Sequence, residues 1–178
     1  MSKTASNPDQ LYFVTFTIVE WGNLFTCPEY FRLLEENLQF CQDNKGLEIF
    51  EFVIMTNHLH LICRRNGVPL SHILRDFKSF TSKELIKLIS NNPSESRKKW
   101  MLNIFKKHGR SNILNQNYQV WQNFNSPTLL NYKSITAQKV NYIRLNPVKA
   151  GIVSRPEDYV HCSANPDSPL KLSPLDFF

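Results

Sequence analysis

Residues 56–63 read Thr-Asn-His-Leu-His-Leu-Ile-Cys, and their alternation of polar and apolar side chains predicts a β-strand. Side chains alternate between the two faces of a strand, so His58 and His60 project from the same face. Leu59 and Leu61 then point to the opposite face, which suits a packed core. Two imidazoles on one face, with an apolar face behind them, form half of a metal site. The alternative is a half-buried strand that carries two ordinary surface histidines.

A second pattern lies near the C-terminus, where residues 140–151 read Val-Asn-Tyr-Ile-Arg-Leu-Asn-Pro-Val-Lys-Ala-Gly. The pattern predicts a helix that begins with Ser134 as its cap and ends around Asn146 and Pro147. Tyr142 and Asn146 are four residues apart, so they share one face of that helix. Each also has an ordinary explanation, as a packed aromatic residue and as a C-terminal cap.

These two motifs, in this order, resemble those of the single-tyrosine HUH transposases of the insertion-sequence-200-like superfamily. The resemblance is strongest to the REP-associated tyrosine transposases, whose C-terminal signature is similar to residues 142–151 and 155–159. It extends from Leu11 to about Ser163. It implies cleavage of single-stranded DNA beside short hairpins of repetitive extragenic palindromes.

The residues of the two motifs fit this chemistry. His58 and His60 offer nitrogen ligands and Asn146 a carbonyl oxygen, a neutral set that suits Mg²⁺ or Mn²⁺ with positions left for water and a phosphate oxygen. Such an ion would polarise the scissile phosphate. Tyr142 is the candidate catalytic nucleophile, and its attack would leave a 5′-phosphotyrosine and a free 3′-hydroxyl. Rejoining then needs no nucleotide cofactor, and the five glycines form no Walker-type phosphate loop.

Charge is divided unevenly along the chain. The formal net charge is +6, but no Asp or Glu lies between Glu95 and Glu157, where there are eleven Lys and Arg. The rest of the chain is net −5, with ten basic residues against fifteen acidic ones. This split favours a polyanion-binding surface over a merely solvated basic face. The predicted DNA contacts, which include the basic second helix that the resemblance implicates in hairpin binding, are Arg75, Lys78, Arg97, Lys98, Lys99, Lys106, Lys107, Arg110, Lys139, Arg144 and Lys149.

Aromatic residues are interleaved with these cations. A tyrosine reaches a phosphate in line more easily on a single strand than in a stiff duplex, and unpaired bases stack on aromatic side chains. The same aromatic residues also fit core positions, and for Trp121 the core is favoured. The candidates for stacking are Trp100, Phe105, Tyr118, Trp121 and Phe124.

The predicted elements follow the order strand, helix, two strands, helix, strand, helix. This order indicates an α+β fold, a ferredoxin-like split βαβ sandwich with an antiparallel sheet and Tyr142 on a C-terminal helix. The 178 residues suit one domain with irregular tails at 1–10 and 165–178. The predicted strands are 11–19, 47–55, the histidine strand and 118–121. The predicted helices run from a Thr26 cap to about residue 43, over 70–90, and from 134. The segment 94–112 is predicted to be a short helix and loop outside the core.

Several classes of protein are disfavoured. The chain has no apolar run long enough for a membrane span and no secretory signal. Its four cysteines lack paired zinc spacing and indicate reduced thiols in a cytoplasmic protein. Two alternatives to the enzyme stay open, a non-catalytic nucleic-acid-binding module of RRM-like topology and an inactive domesticated transposase. Both a monomer and a homodimer are compatible with the sequence.

Overall fold

The computed structural model describes residues 10–111, 117–123 and 126–175. The predicted irregular tails lie partly outside these ranges, as does Phe124, and the assignment of the chain to one domain stays a prediction. The elements are β1 (Tyr12–Thr17), a 3-10 turn (Val19–Trp21), α1 (Pro28–Lys45), β2 (Leu47–Ile54), β3 (His58–Arg65), α2 (Leu70–Asn91), α3 (Lys98–Arg110), β4 (Thr128–Leu129), α4 (Lys133–Lys149) and a second 3-10 turn (Pro156–Asp158).

The four strands form one antiparallel sheet in the order β2–β3–β1–β4. Strand β3 lies between β1 and β2, which is the split βαβ arrangement that the sequence predicts. The register pairs Thr15 with His60 and Thr17 with His58, so the histidine strand is central and each histidine lies opposite a threonine of β1.

One face of the sheet carries the larger core. The side chains of Leu59, Leu61 and Cys63 point to this face and pack with α1 and α2, as the alternation of the histidine strand predicts. Helix α1 contributes Leu34 and Leu38, spaced by one turn, to the same cluster. The face of β3 opposite the two histidines is therefore packed in a fully buried core.

Helix α4 packs on the opposite face, on the same side of the sheet as the histidines. Val140 and Ile143 of α4 are buried against Phe50, Val53 and Ile62 of the sheet. The irregular C-terminal segment closes this second core, and its Tyr159 hydroxyl donates to the carbonyl of Ile54 at 2.8 Å. The sheet thus separates a core that stabilises the fold from a smaller one that holds α4 over β3.

Local signals set the ends of α1. Pro28 occupies the first helical turn, and the helix ends at Gly46, whose φ of +67° few other residues adopt. A Cβ atom at Gly46 would lie 1.7 Å from the carbonyl oxygen of Asn66, so glycine is required there on two grounds. The predicted N-cap, Thr26, is wrong by one residue, because Cys27 occupies that position.

Two other element predictions are wrong. The fourth strand is Thr128–Leu129, not 118–121, because only Trp121 of that segment makes a bridge, an isolated one to Ile18. Helix α3 is part of the core and not outside it, since its amphipathic pattern buries Met101 and Phe105. None of the helices in the described ranges is both long and apolar enough to cross a bilayer.

Candidate functional site

The two histidines of β3 lie side by side on the face that α4 covers. The centroids of the His58 and His60 rings are 4.7 Å apart, and the rings meet edge to face. Burial lowers the pKa of His58, and the hydrogen bond with Asn146 offsets part of this effect. Both rings are therefore placed to present a neutral nitrogen to the same small volume.

Asn57 fixes the orientation of the His58 ring. Its side-chain Nδ2 donates to the backbone carbonyl of Trp21 at 3.2 Å, so its Oδ1 is the atom that faces His58 Nδ1, at 2.6 Å. A carbonyl oxygen can only accept, so His58 Nδ1 carries the proton and Nε2 is the nitrogen with a lone pair. This is the tautomer that a metal ligand needs.

His60 is held more tightly than His58. Its Nδ1 lies 2.8 Å from the Thr15 hydroxyl on the paired strand, and its ring stacks on Phe13 at 5.2 Å. Only 5% of the residue is exposed. Burial, with smaller effects from the charges of His58 and Lys139, lowers the pKa of His60 to about 3. The ring is neutral at physiological pH, and Nε2 is its remaining nitrogen.

Helix α4 brings Tyr142 and Asn146 to the histidines. The Tyr142 ring lies 5.2 Å from the His60 ring and 6.2 Å from Phe13, and it is 40% exposed. Asn146, one turn further, hydrogen-bonds to His58. Pro147 lies inside the helix, which continues to Lys149, so the predicted end around Asn146 and Pro147 is two to three residues too early. All four predicted catalytic and metal-binding residues converge within one chain.

Two lysines stand beside the tyrosine. Lys139 Nζ lies 4.4 Å from the centre of the Phe13 ring and 5.5 Å from that of Tyr142. Lys149 Nζ lies 5.9 Å from the Tyr142 ring. A phenolate oxygen and a phosphate at this position would both be stabilised by the two charges.

Arg144, predicted to contact DNA, is paired with a buried carboxylate. Its guanidinium donates two hydrogen bonds to the Glu51 carboxylate of β2. The same carboxylate accepts a third hydrogen bond from the Ser163 hydroxyl. The Glu51 side chain is 3% exposed and that of Arg144 is 47% exposed. Arg144 lies between Tyr142 and Asn146 in the sequence, so this pair fixes the part of α4 that carries both.

We expect Arg144→Met to destabilise the fold by about 2 kcal/mol, because it leaves the Glu51 charge buried without its partner. The figure is below that of a fully buried pair because water screens half of Arg144. The double variant Arg144→Met, Glu51→Met should recover more than half of the loss. Urea unfolding measures both.

The control for this prediction is Arg155→Met, which breaks the exposed pair with Asp158 and should leave stability unchanged. If the Arg144→Met variant were as stable as the control, the Glu51 carboxylate would not depend on Arg144 for its stabilisation.

The other predicted DNA contacts divide into two groups. Arg97 is committed to Glu95, to the Asn23 carbonyl and to the Thr26 hydroxyl. Three others have a partner within the protein, since Lys98 donates to Ser90, Lys107 lies 3.8 Å from Glu20 and Arg75 pairs with Asp76. Those with neither a carboxylate nor a carbonyl partner among the described residues are Lys99, Lys106, Arg110, Lys139 and Lys149.

Lys78 lines a groove between α2 and the segment 117–123. Its ammonium donates to the carbonyl of Gln122 at 2.6 Å, and burial lowers its pKa. The groove has a volume of about 860 Å³ and also carries Arg75, Lys83 and Tyr118. It is a basic cleft with an aromatic wall, on the helix that the family resemblance implicates in hairpin binding.

Of the predicted stacking residues, Phe105 and Trp121 are buried in the core. Trp121 donates its indole N–H to the Thr81 hydroxyl at 2.9 Å, as a core tryptophan does. Trp100 and Tyr118 are exposed. The prediction of base stacking is therefore restricted to these two of the described candidates.

The site suits a divalent ion, although no group of three or more His, Cys, Asp and Glu side chains occurs in the described parts of the chain. Its candidate donors are the Nε2 atoms of two imidazoles and the amide oxygen of Asn146, whose side chain also hydrogen-bonds to His58. These neutral nitrogen and oxygen ligands suit Mg²⁺ or Mn²⁺, whose remaining coordination positions would be taken by water and phosphate oxygens.

Sequence reasoning missed Thr15, Asn57 and Trp21. The strand pairing of Thr15 with His60 depends on register, which the sequence does not reveal. Asn57 directly precedes the first histidine, so its adjacency was a usable signal.

The fold and the site together define a small ferredoxin-like domain whose open sheet face is closed by a tyrosine-bearing helix. A solved structure of a REP-associated tyrosine transposase bound to a REP hairpin has a similar fold, with a TM-score of 0.59 and 17% sequence identity. The similarity covers 92% of this chain and 82% of the other. No protein-family model matches the sequence, and neither does any curated protein.

Proposed function

We propose that this protein is a divalent-metal-dependent endonuclease and strand transferase for single-stranded DNA, which cuts beside hairpins through a 5′-phosphotyrosine intermediate. The observation that carries the proposal is the convergence of Tyr142 and Asn146 of α4 on His58 and His60 of β3. The solved transposase of similar fold, bound to a REP hairpin, supports the same substrate class.

In this mechanism His58, His60 and Asn146 would hold the Mg²⁺ or Mn²⁺. The ion, when bound, polarises the scissile phosphate and neutralises charge that develops on it. Asn57 and Thr15 keep the two imidazoles in the orientation in which Nε2 is the ligand. The buried β3 strand supplies a rigid base for these ligands.

Tyr142 performs the transfer. Its Oη attacks the phosphorus as the phenol proton passes to water, the bond from phosphorus to the 3′-oxygen breaks, and that oxygen takes up a proton. The products are a 5′-phosphotyrosine and a free 3′-hydroxyl, and attack by a 3′-hydroxyl reverses the step. Lys139 and Lys149 stabilise the phenolate and the phosphate, and the 40% exposure of Tyr142 leaves room for the strand.

An RNA-binding module of RRM-like topology is the weaker alternative. Such a module reads bases with aromatic residues exposed on its central strands. Here the corresponding face is covered by α4, and its aromatic residues Phe13 and Phe50 are buried.

The direct test is incubation with a single-stranded oligonucleotide that carries a hairpin and flanking sequence, with Mn²⁺ or Mg²⁺. A covalent protein–DNA adduct that survives denaturing electrophoresis and is lost with EDTA supports the proposal. The absence of an adduct from a panel of hairpins, with either ion, would overturn it.

DNA binding should depend strongly on salt. If about five cations neutralise phosphates, log affinity should fall against log salt with a slope of roughly −3 to −4 for a single strand. The five predicted contacts with neither a carboxylate nor a carbonyl partner in the described parts of the chain, Lys99 among them, match this number. Fluorescence anisotropy at several salt concentrations gives the slope.

The neutral variants Lys99→Gln and Lys106→Gln should each reduce the magnitude of the slope by about 0.7. Arg155→Gln, which removes a cation already paired with Asp158, is the matched control and should leave it unchanged. A slope near zero for the wild-type protein would mean that the basic stretch is only a solvated surface.

A further inference from the structure

Trp21 is a large aromatic residue that is exposed to solvent, so core packing does not explain its presence. It is 59% exposed, and both it and Glu20 have positive φ, at 54° and 55°, although neither is glycine. Consecutive residues in the left-handed region are strained and persist only where surrounding contacts hold them. The fold maintains this strained turn and leaves most of the indole in water.

Several contacts hold the turn in place. The Glu20 carboxylate lies 2.9 Å from His108 Nε2 and 3.8 Å from Lys107 Nζ, both on α3. The Trp21 amide donates to the carbonyl of Ile18 at 3.0 Å. The Trp21 carbonyl accepts from Asn57, the residue that also orients His58. One amide side chain therefore connects the backbone of Trp21 to a candidate metal ligand.

The rings of the site form a row with Trp21 at one end. The Trp21 ring lies 6.2 Å from His58, His58 lies 4.7 Å from His60, and His60 lies 5.2 Å from Tyr142. The candidate nucleophile and the exposed indole thus contact opposite members of the histidine pair. A phosphate held by the pair would have Tyr142 beside one histidine and Trp21 beside the other.

In phosphoryl transfer the attacking and leaving oxygens are roughly in line on opposite sides of phosphorus. Tyr142 attacks from the His60 side, so the 3′-oxygen leaves toward His58 and Trp21. The nucleotide that carries this oxygen is on the single strand, and an unpaired base stacks well on an exposed indole. Stacking of this kind tolerates any base because every base has a π face.

We infer that Trp21 is the stacking platform for the base of the nucleotide whose 3′-oxygen departs, called here the −1 base. The inference rests on the proposed function for the location of the scissile phosphate. It makes Trp21 a residue that positions the leaving side of the strand, distinct from Tyr142, which acts on the other side.

The first experiment measures single-turnover adduct formation on a hairpin-bearing strand whose cut position is mapped from product length. Trp21→Leu should slow the reaction about ten- to hundredfold, the usual effect of losing one base–aromatic stack, whereas Trp21→Phe should retain most of the rate. An abasic −1 position should slow the wild-type protein by a similar factor and the leucine variant no further. An abasic +1 position should leave the ratio of the two proteins unchanged.

Two controls bound the result. Phe40→Leu removes an aromatic residue of similar exposure from α1 and should leave the rate unchanged. Thermal unfolding should show that Trp21→Leu is folded, since most of the indole is in water. Equal rates for the leucine variant and the wild type, or an equal loss on intact and −1 abasic strands, would overturn the inference.

A binding measurement separates this inference from the proposed function. In a Tyr142→Phe background, 2-aminopurine is placed at successive positions of the hairpin flank, and its fluorescence is read on addition of protein. Quenching at one position that Trp21→Leu abolishes supports the platform even if no strand is ever cut. Quenching that is the same with and without the indole at every position would overturn it.

Discussion

Replacing Tyr142 with phenylalanine should abolish the covalent adduct and strand cleavage, by a factor of more than about 10³. The ring and its contacts with Phe13 and His60 are retained, and only the hydroxyl proposed to attack phosphorus is lost. Affinity for the hairpin strand should be unchanged, because phosphate contacts come from lysines and arginines. Denaturing electrophoresis with labelled DNA reports the adduct, and anisotropy reports the binding.

Tyr132→Phe is the matched control. Tyr132 directly precedes α4 and is 67% exposed, but it has no ring contact with either histidine among the described residues. The Tyr132→Phe protein should cleave at the wild-type rate. A Tyr142→Phe protein that still forms an adduct would mean that another tyrosine is the nucleophile.

Removing either histidine should have the second largest effect. His58→Ala and His60→Leu should each lower cleavage by more than about 100-fold, since each deletes a proposed ligand of the ion while phosphate binding persists. Leucine is chosen at position 60 because the buried ring packs on Phe13, and alanine there would add a cavity. EDTA should reproduce the loss in the wild-type protein.

His72→Ala, a change of an exposed histidine on α2, is the control and should retain activity. Cleavage by His60→Leu in the presence of EDTA would exclude the proposed role of the histidine pair. Isothermal titration with Mn²⁺ gives an independent measure of the ligand set.

The sheet and its two-sided packing could be predicted because they depend on short-range periodicity. Alternation places Leu59 and Leu61 in one core and His58 and His60 on the other face, and the structure confirms this split. The four-residue spacing of Tyr142 and Asn146 is equally local. Their arrival at β3 is a long-range event, and it was predictable only through the family resemblance.

The features that the sequence could not predict depend on contacts between distant parts of the chain. Arg144 lies in an acid-free interval, and its ion pair with Glu51, 93 residues earlier, could not be read from composition. Its contact with DNA stays a prediction. Residues 118–121 alternate like a strand. However, the backbone N–H of Gln119 donates to the carbonyl of Phe105 in α3, and the Trp121 side chain is buried in the core. Periodicity records which side of a segment is buried and not which neighbour buries it.

The site has one tyrosine, and α4 presents it to the β3 histidines of the same polypeptide. A site closed by a helix exchanged between two copies would exist only when they meet, and its rate per molecule would fall on dilution. If the protein cleaves as proposed, we expect cleavage to be first order in protein, with each molecule holding a single severed end at a time. Joining ends from two DNA strands would then take either two consecutive turnovers or an encounter between two loaded molecules.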